Sequence, residues 1–600
     1  MEIPADRVYH KSMDVTIGIP KRLGYLPLVV DVLRRTGLLD IIDQAVPKHP
    51  RSKVATSDCV AVMMCAIYSG HHDLWRMSDR LAQFDMPTIM QCADFDLSAF
   101  TEERLAKSLD QLYLKNPDML MTTLAVQAIS RFDLNTDFLN FDTTSLIFYG
   151  CEDDDDLTAL HDATQPFPPP PMITFGHSKD HRPDLKQIMF GTLVTADGGI
   201  PIFGKALDGN ASDSASAAAF FAQVRQLVKS PREVCCVADS KGWCARVLHL
   251  VKREKLRLLS RLPRNHSTHQ WVMAQPRGRL KRVDRTNSRG KKTDEFYEID
   301  GFDCEEILDL PKDLHEEGQP KIVDVKARAV RVFSSALFRR KERTLKKTAT
   351  REEALAKRRI ADWQGIAYAC QEDADRAASR QQAEDEFITF DILPSVRSVK
   401  GPFKRGRGRP RKHQEPALES NHFRIDYTLR PTSDSERAER LRQQATFVLI
   451  RTRDSSWHIS DEEMIERYKG QYYNEHGFAW LKSGPSYKGL NPLFLETPHR
   501  IASLCFLYVV GLMIWTIIQR TVRGNLAKWK QGLPYHRNKP SDRITTRFFF
   551  ELFPAVQTVP YTTPDGEEKA QLVGVTETIQ LACKALGSKL EVFKNVGGRK

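Results

Sequence analysis

The sequence predicts an α/β protein in which a mixed sheet is preceded by an all-α unit and interrupted by a mixed, partly β insertion. Three observations predict it. Apolar residues recur at three and four up to about residue 135, and short apolar runs bounded by turn residues follow to about 264. Residues 265 to about 440 then become polar and basic, before strand and helix patterns resume at Ala445.

Residues 1–135 make the all-α unit. LVVDVLRRTGLLDIIDQAV, CVAVMMCAIYSG, LSAFTEERLAKSLDQLYL and PDMLMTTLAVQAISRF carry the helical repeat, and Asn116 with Pro117 separates the last two. Residues 136–264 form the first part of the sheet domain. DFLNFDTTSLIFYG has the composition of a buried strand, and LKQIMFGTLVT and GIPIFGKAL follow as a hairpin around Asp197, Gly198 and Gly199. A helix over about Ser214 to Val228, the strand EVCCVAD, a helix after Lys241 and the strand LRLLSRL complete it. Residues 265–442 read as a basic insertion: the strand-like KIVDVKARAVRVFSS, one charged helical stretch from Arg351 to Glu386, and the linker KGPFKRGRGRPRK. Residues 443–525 return to the sheet domain with the strand TFVLIRT, one helix from about Asp461 to Lys482, and an apolar helix. Residues 526–600 are a less regular tail. No repeat of about 20–50 residues is present, and at roughly 150 residues per domain the length allows about four units.

Composition narrows the function. Hydrophobic residues at 41% and charged residues at 28% exclude wholesale disorder. Lys and Arg outnumber Asp and Glu by 89 to 77, which favours a polyanionic partner. The surplus is local: Val251 to Lys292 holds fourteen basic residues against Glu254 and Asp284 and should track a phosphate backbone, with solvated surface charge as the alternative. Eleven cysteines, never spaced as C-x-x-C, indicate neither a disulfide framework nor a zinc ribbon, and a reducing cytoplasm fits them. MEIPADRVYH lacks the apolar core of a secretory signal. Ile501 to Ile518 is free of charge over eighteen residues, the lower limit of a membrane span; with Arg500 and Arg520 at its ends it reads instead as the central helix of a large domain, with no membrane partner.

Three carboxylates stand out. Asp142 lies mid-strand in LNFDTTSL, where an ionised side chain is costly unless it binds a cation or several donors; its bland alternative is a cap at a strand end. Asp239 follows a second apolar strand, at the edge where α/β sheets place their sites, or else caps the next helix. Glu475 lies in SDEEMIERYKGQYYNEHGFAWLK, where Tyr468, Glu475 and Lys482 are spaced by seven and so share a helix face, with Gln471 one turn away. Such a face sets a metal-binding carboxylate between groups able to hold phosphate oxygens, the alternative being an ordinary amphipathic helix. His177 and His181 are four apart, but Pro183 and the lack of further ligands favour a DNA-contacting loop over zinc. Asp153 to Asp156 reads as a solvated acidic loop.

Taken together, FDTTSL (141–146), GHSKDHRPDLKQ (176–187), GNASD (209–213), VADSKGW (237–243), SRLPRN (260–265) and the run from Ser460 to Lys482 resemble the prokaryotic insertion-sequence transposases of the DDE type. The specific likeness is to the branch with a Y-x2-R-x3-E-x6-K signature. Here it reads Tyr468, Gln471, Glu475, Lys482, every spacing kept but Gln in place of Arg. The resemblance spans about residues 20–555. It implies an RNase H-like mixed-sheet catalytic core with an insertion between the second Asp and the Glu. It also implies that Asp142, Asp239 and Glu475 converge to hold two Mg2+ ions, with Mn2+ able to substitute, for phosphoryl transfer. Tyr468, Gln471 and Lys482 would bind phosphate, although Gln cannot supply the bidentate charge of Arg. His177, Lys179, His181, Arg182 and Lys241 would contact DNA near the site. The expected partners are double-stranded DNA, as terminal inverted repeats and target, and a second copy of the chain in a synaptic homodimer. The expected location is cytoplasmic, at the nucleoid. Arg407, Gly408, Arg409 and Pro410 resemble an AT-hook core suited to a narrow minor groove, or form a flexible basic linker that touches only phosphates. Relatives with this signature often use a flipped base stacked on an aromatic ring; Trp271, Trp363 and Trp457 lie in the right interval, with core packing as the simpler reading of each. A catalytically silent DNA-binding derivative, or a structure-specific nuclease of the same fold, would share these blocks.

Overall fold

The computed structural model describes residues 16–71, 73–148, 169–179, 182–228, 230, 233–278, 280–286, 292–383, 387–402, 419–454, 457–483, 489–490, 495 and 497–594. The acidic run at 153–156, His181, Arg407 and Arg409 lie outside them. The chain divides into two compact units, one of residues 1–261, 304–327 and 451–600, the other of 262–303 and 328–450. The helical N-terminal region, the sheet strands and the C-terminal helices thus share one unit.

The sheet of the first unit is mixed. β1 (Phe138–Ile147), β2 (Gln187–Thr195), β3 (Pro201–Leu207), β4 (Cys235–Ala238) and β5 (Arg257–Arg261) run in the order β3-β2-β1-β4-β5. The β1–β2 and β2–β3 pairs are antiparallel, as short turns allow, whereas β4 and β5 lie parallel to β1 and each other. Helical crossovers make that possible: α5 (Asp213–Leu227) links β3 to β4, and α6 (Ala245–Glu254) links β4 to β5. Nine of the ten β1 residues are buried, consistent with helices on both faces, and Asp142 is the exception. On the α5 face, Phe220 and Phe221 lie 5.0 and 5.7 Å from Phe141.

C-terminal helices pack on the sheet and N-terminal helices pack on them, while the N-terminal helix Pro117–Arg131 also packs directly on β3. α9 (Pro498–Trp529) carries the charge-free stretch and is long and apolar enough to cross a membrane, but 89% of its most apolar window is buried inside the protein. It packs on β3 and on α1 (Leu26–Thr36), α2 (Thr56–Tyr68), α3 (Glu102–Leu114) and α4 (Pro117–Arg131). The Tyr68 hydroxyl donates to the Gly511 carbonyl at 2.7 Å, and Asp110 accepts from Arg500 at 2.7 and 2.9 Å. The tail is more regular than the sequence suggests. Gln557–Thr562 and Glu568–Val573 pair as a hairpin, which also pairs with Thr16–Ile17 and Lys21–Arg22, and α10 (Glu577–Leu586) follows. Those N-terminal rungs are far away in sequence, so local patterning does not show them.

In the second unit, Lys281–Thr286 pairs with the start of Lys292–Asp309, and Phe390–Pro402 pairs along its length with Glu419–Pro431. The single charged helix expected here is two, Ser335–Trp363 and Gln371–Ala383. The first starts early because the Ser334 side chain accepts from the Leu337 amide, and the break follows from Gly365 at φ +88°. Trp363 packs near Ala356, Phe387 and Ile392, and Trp271 meets Phe302 edge-on at 5.8 Å. Within this unit Arg277 pairs with Glu439, and Arg282 and Lys292 with Asp284, so part of the basic surplus is neutralised internally.

Candidate active site

Strand register brings the two aspartates together. Asn140 of β1 lies beside Val237 of β4 at the end of their parallel ladder. Asp142 and Asp239 are each two residues further on, hence level with one another and on one face. Both bland readings fail. Asp142 is the fifth of ten strand residues, and α6 begins only at Ala245 with Cys244 at its cap, six residues beyond Asp239. Asp239 is fixed by its surroundings: Ser260 donates to its carbonyl at 2.6 Å, and its carboxylate accepts from the Lys241 amide at 3.1 Å. The turn needs Gly242, where a Cβ would lie 2.4 Å from that of Ala238.

β4 ends at Ala238, so the Asp142–Thr143 edge of β1 lies open, and Lys179 fills it. Its ammonium donates to the Thr143 carbonyl and hydroxyl, both at 2.7 Å, and lies 3.4 Å from Asp142 Oδ1. Burial pushes the Asp142 carboxyl up and the Asp239 charge adds to this, while Lys179 and the Thr143 amide oppose it. Lys179 therefore points inward, not toward a solvent-borne phosphate as the sequence suggested. A fourth carboxylate, absent from the expected set, closes the network. Asp213, in the first turn of α5, accepts from the Thr143 hydroxyl at 2.7 Å and from Lys241 Nζ at 2.6 Å. Burial alone would raise it, but these bonds and the two lysine charges hold it below the usual carboxylate range. Its one signal in the sequence is the block GNASD, which ends on it.

The third carboxylate arrives differently. The one helix expected over 461–482 is two: α7 (Asp461–Lys469) and α8 (Tyr472–Ser483). Gly470, Gln471, Tyr473 and Asn474 bond back three residues, a 3₁₀ step that ends the first helix and turns the second. Gly470 is pressed on β1, where a Cβ would lie 3.1 Å from both amide atoms of Asn140. Hence Tyr468 does not share a continuous helix face with Glu475 and Lys482, which remain together on α8. α8 nonetheless crosses the aspartate face, since Asn474 accepts at 3.0 Å from Thr192, the cross-strand partner of Asp142. Glu475 is the next residue and is exposed; Lys482 is half-buried in the last turn. Gln471 accepts from Asn474 at 3.2 Å, while its Nε2 and the buried amide of Asn140 lack partners among the described residues. Tyr468 links the sets: burial pushes its phenol up to about 12, with Arg261 opposing and Asp239, Asp142 and Glu475 all adding.

Other expected contacts are peripheral. His177 is exposed, and Arg182 pairs with Asp184 at 2.8 Å. Trp457 lies under Arg257 and Arg451, at 5.0 and 5.1 Å, as a packed ring. For a divalent cation, Asp142 and Asp239 fit in donor type and level. Among the described residues no three His, Cys, Asp or Glu side chains are grouped to hold one ion.

A family model described as a domain of unknown function (DUF4277) matches residues 19–126, the helical N-terminal region. No curated protein matches the sequence. One similar solved structure is that of the piggyBac transposase synaptic complex with hairpin DNA, at 13% identity and a TM-score of 0.24. The similarity covers 52% of this chain and 62% of that one, so it spans less than two thirds of that protein.

Proposed function

We propose that the protein is a DNA transposase of the DDE type with an RNase H-like core, cutting at terminal inverted repeats and joining 3′-hydroxyl ends to target DNA. The observation that carries this reading is the level placement of Asp142 on β1 and of Asp239 just past the end of the adjacent parallel β4, with Tyr468 in the field of both and of Glu475. Three antiparallel strands followed by two parallel ones, in the order β3-β2-β1-β4-β5 within a longer sheet, support this reading.

In this reading Asp142 and Asp239 hold Mg2+, or Mn2+ in its place, and Glu475 completes the set from α8. The bound ions supply Lewis acidity to the scissile phosphate and to the attacking oxygen. The side chains supply position and charge. Lys241, 56% exposed, presents a cation at the rim, and Lys482 presents another from α8. Tyr468 stays protonated at neutral pH and donates one hydrogen bond to a phosphate oxygen. Gln471 offers hydrogen bonding without charge. A homodimer holding two DNA ends at the nucleoid is the assembly this activity needs.

The test is nicking of duplex DNA bearing the inverted repeats that flank the coding sequence, with Mg2+, comparing wild type with Asp142→Ala. Cleavage by wild type alone is expected; equal products, or none from either, removes the enzymatic reading. Joining of cut ends into a plasmid separates a transposase from a structure-specific nuclease.

A further inference from the structure

We propose that Lys179 is the exchangeable counter-ion of Asp142 and that Asp213 is the positioning residue that receives it when a divalent cation binds. This rests on the reading that Asp142 and Asp239 hold that cation. The geometry is asymmetric in a useful way. Two short bonds, from Lys179 Nζ to the Thr143 carbonyl and hydroxyl at 2.7 Å, fix the ammonium at the strand edge. Its contacts with the two carboxylates are longer and nearly balanced, 3.4 Å to Asp142 Oδ1 and 3.8 Å to Asp213 Oδ1. The ammonium can therefore change carboxylate while keeping its anchor. Thr143 serves both sides, accepting from Lys179 while its own hydroxyl donates to Asp213 at 2.7 Å.

Charge counting gives the reason for Asp213. Within this network Asp142, Asp239 and Asp213 stand against Lys179 and Lys241, three negative groups against two positive; Arg261 and Glu475, which act on Tyr468 beside it, add one charge of each sign, so one negative charge remains to draw a cation. Without Asp213 the count is two against two. Both lysines would then lose a partner and press toward Asp142 and Asp239, competing with the ion. With only 12% of its side chain exposed, Asp213 acts on the lysines through little intervening water. It touches neither metal ligand directly; its effect passes through Lys179, Lys241 and Thr143.

The experiment is a Mn2+ titration of the full-length protein without DNA, followed by the paramagnetic resonance of free Mn2+. Lys179→Met should bind about tenfold more tightly than wild type, and Asp213→Asn about tenfold more weakly, the size usual for groups that support metal ligands. Asp213→Glu should restore most of the loss. Thermal unfolding without metal checks that each variant is folded, and if Asp213→Asn is not, Lys179→Met and Asp213→Glu carry the test. Opposite signs are what a merely structural role cannot produce. Equal or weaker binding by Lys179→Met, or unchanged binding by Asp213→Asn, overturns the proposal. Absence of any Mn2+ binding in folded wild type would instead remove the cation reading beneath it.

Discussion

The strand side and the helix side of the candidate site are built by different rules. Asp142 and Asp239 are set by a ladder: once β1 and β4 pair at Asn140 and Val237, two further residues on each strand must arrive level. Tyr468, Gln471, Glu475 and Lys482 depend on helical phase, and a 3₁₀ step at Gly470 and Gln471 resets that phase midway. Residue spacing therefore fixes position more firmly along a paired strand, where every rung is tied to a neighbour. In a helix one glycine under pressure from the sheet redirects all that follows.

The largest expected effect breaks the comparison on its strand side. Asp142→Asn or Asp239→Asn should reduce DNA cleavage by about a thousandfold or more, since a metal-bound centre supplies several kcal/mol of transition-state stabilisation. Residual activity within tenfold of wild type would mean that the level aspartates are not the metal pair. Next comes the helix side. Gly470→Ala places a methyl group 3.1 Å from the Asn140 amide and 2.9 Å from the Arg467 carbonyl. We expect a loss of about 1–3 kcal/mol in denaturant unfolding, as for overpacking elsewhere; an unchanged midpoint would show that the junction is not pressed on β1.

A smaller effect probes the support beneath α9. Burial alone would raise Asp110, but Arg500 and His499 hold its carboxyl below the usual range. A carboxylate depressed in the folded state adds stability above its ordinary pKa and loses it as pH falls through the folded value. Asp110→Asn should thus cost about 0.5 kcal/mol at neutral pH after solvent screening, with the gap closing in acid. Unfolding midpoints for the two proteins that differ by the same amount across that range would contradict the assignment. The smallest effect concerns Tyr468→Phe, which should move stability by less than about 0.5 kcal/mol, as substitutions that remove no packed volume do. In an ultraviolet titration the same variant should lose a phenol that ionises only near 12.

Much of this molecule could be read from the chain. The Phe, Leu and Ile of DFLNFDTTSLIFYG mark a strand buried on both faces, and an aspartate in its middle marks a demand for positive charge, because neither fact needs a distant partner. Local turn chemistry likewise located the hairpin at Asp197, Gly198 and Gly199. Asp213 was hidden because an acidic residue in the first turn of a helix is ordinary, and its lysine partners are 34 and 28 positions away. The N-terminal rungs on the 557–562 strand, the break at Gly470 and the inward course of Lys179 were also beyond it. Sequence alone determined most of the sheet strands and long helices and which of them carry charge, since period, turn residues and burial demand are written within a few neighbouring positions. Tertiary structure decided which charge meets which, because that depends on strand ends, close approaches and open edges that exist only once distant segments have packed.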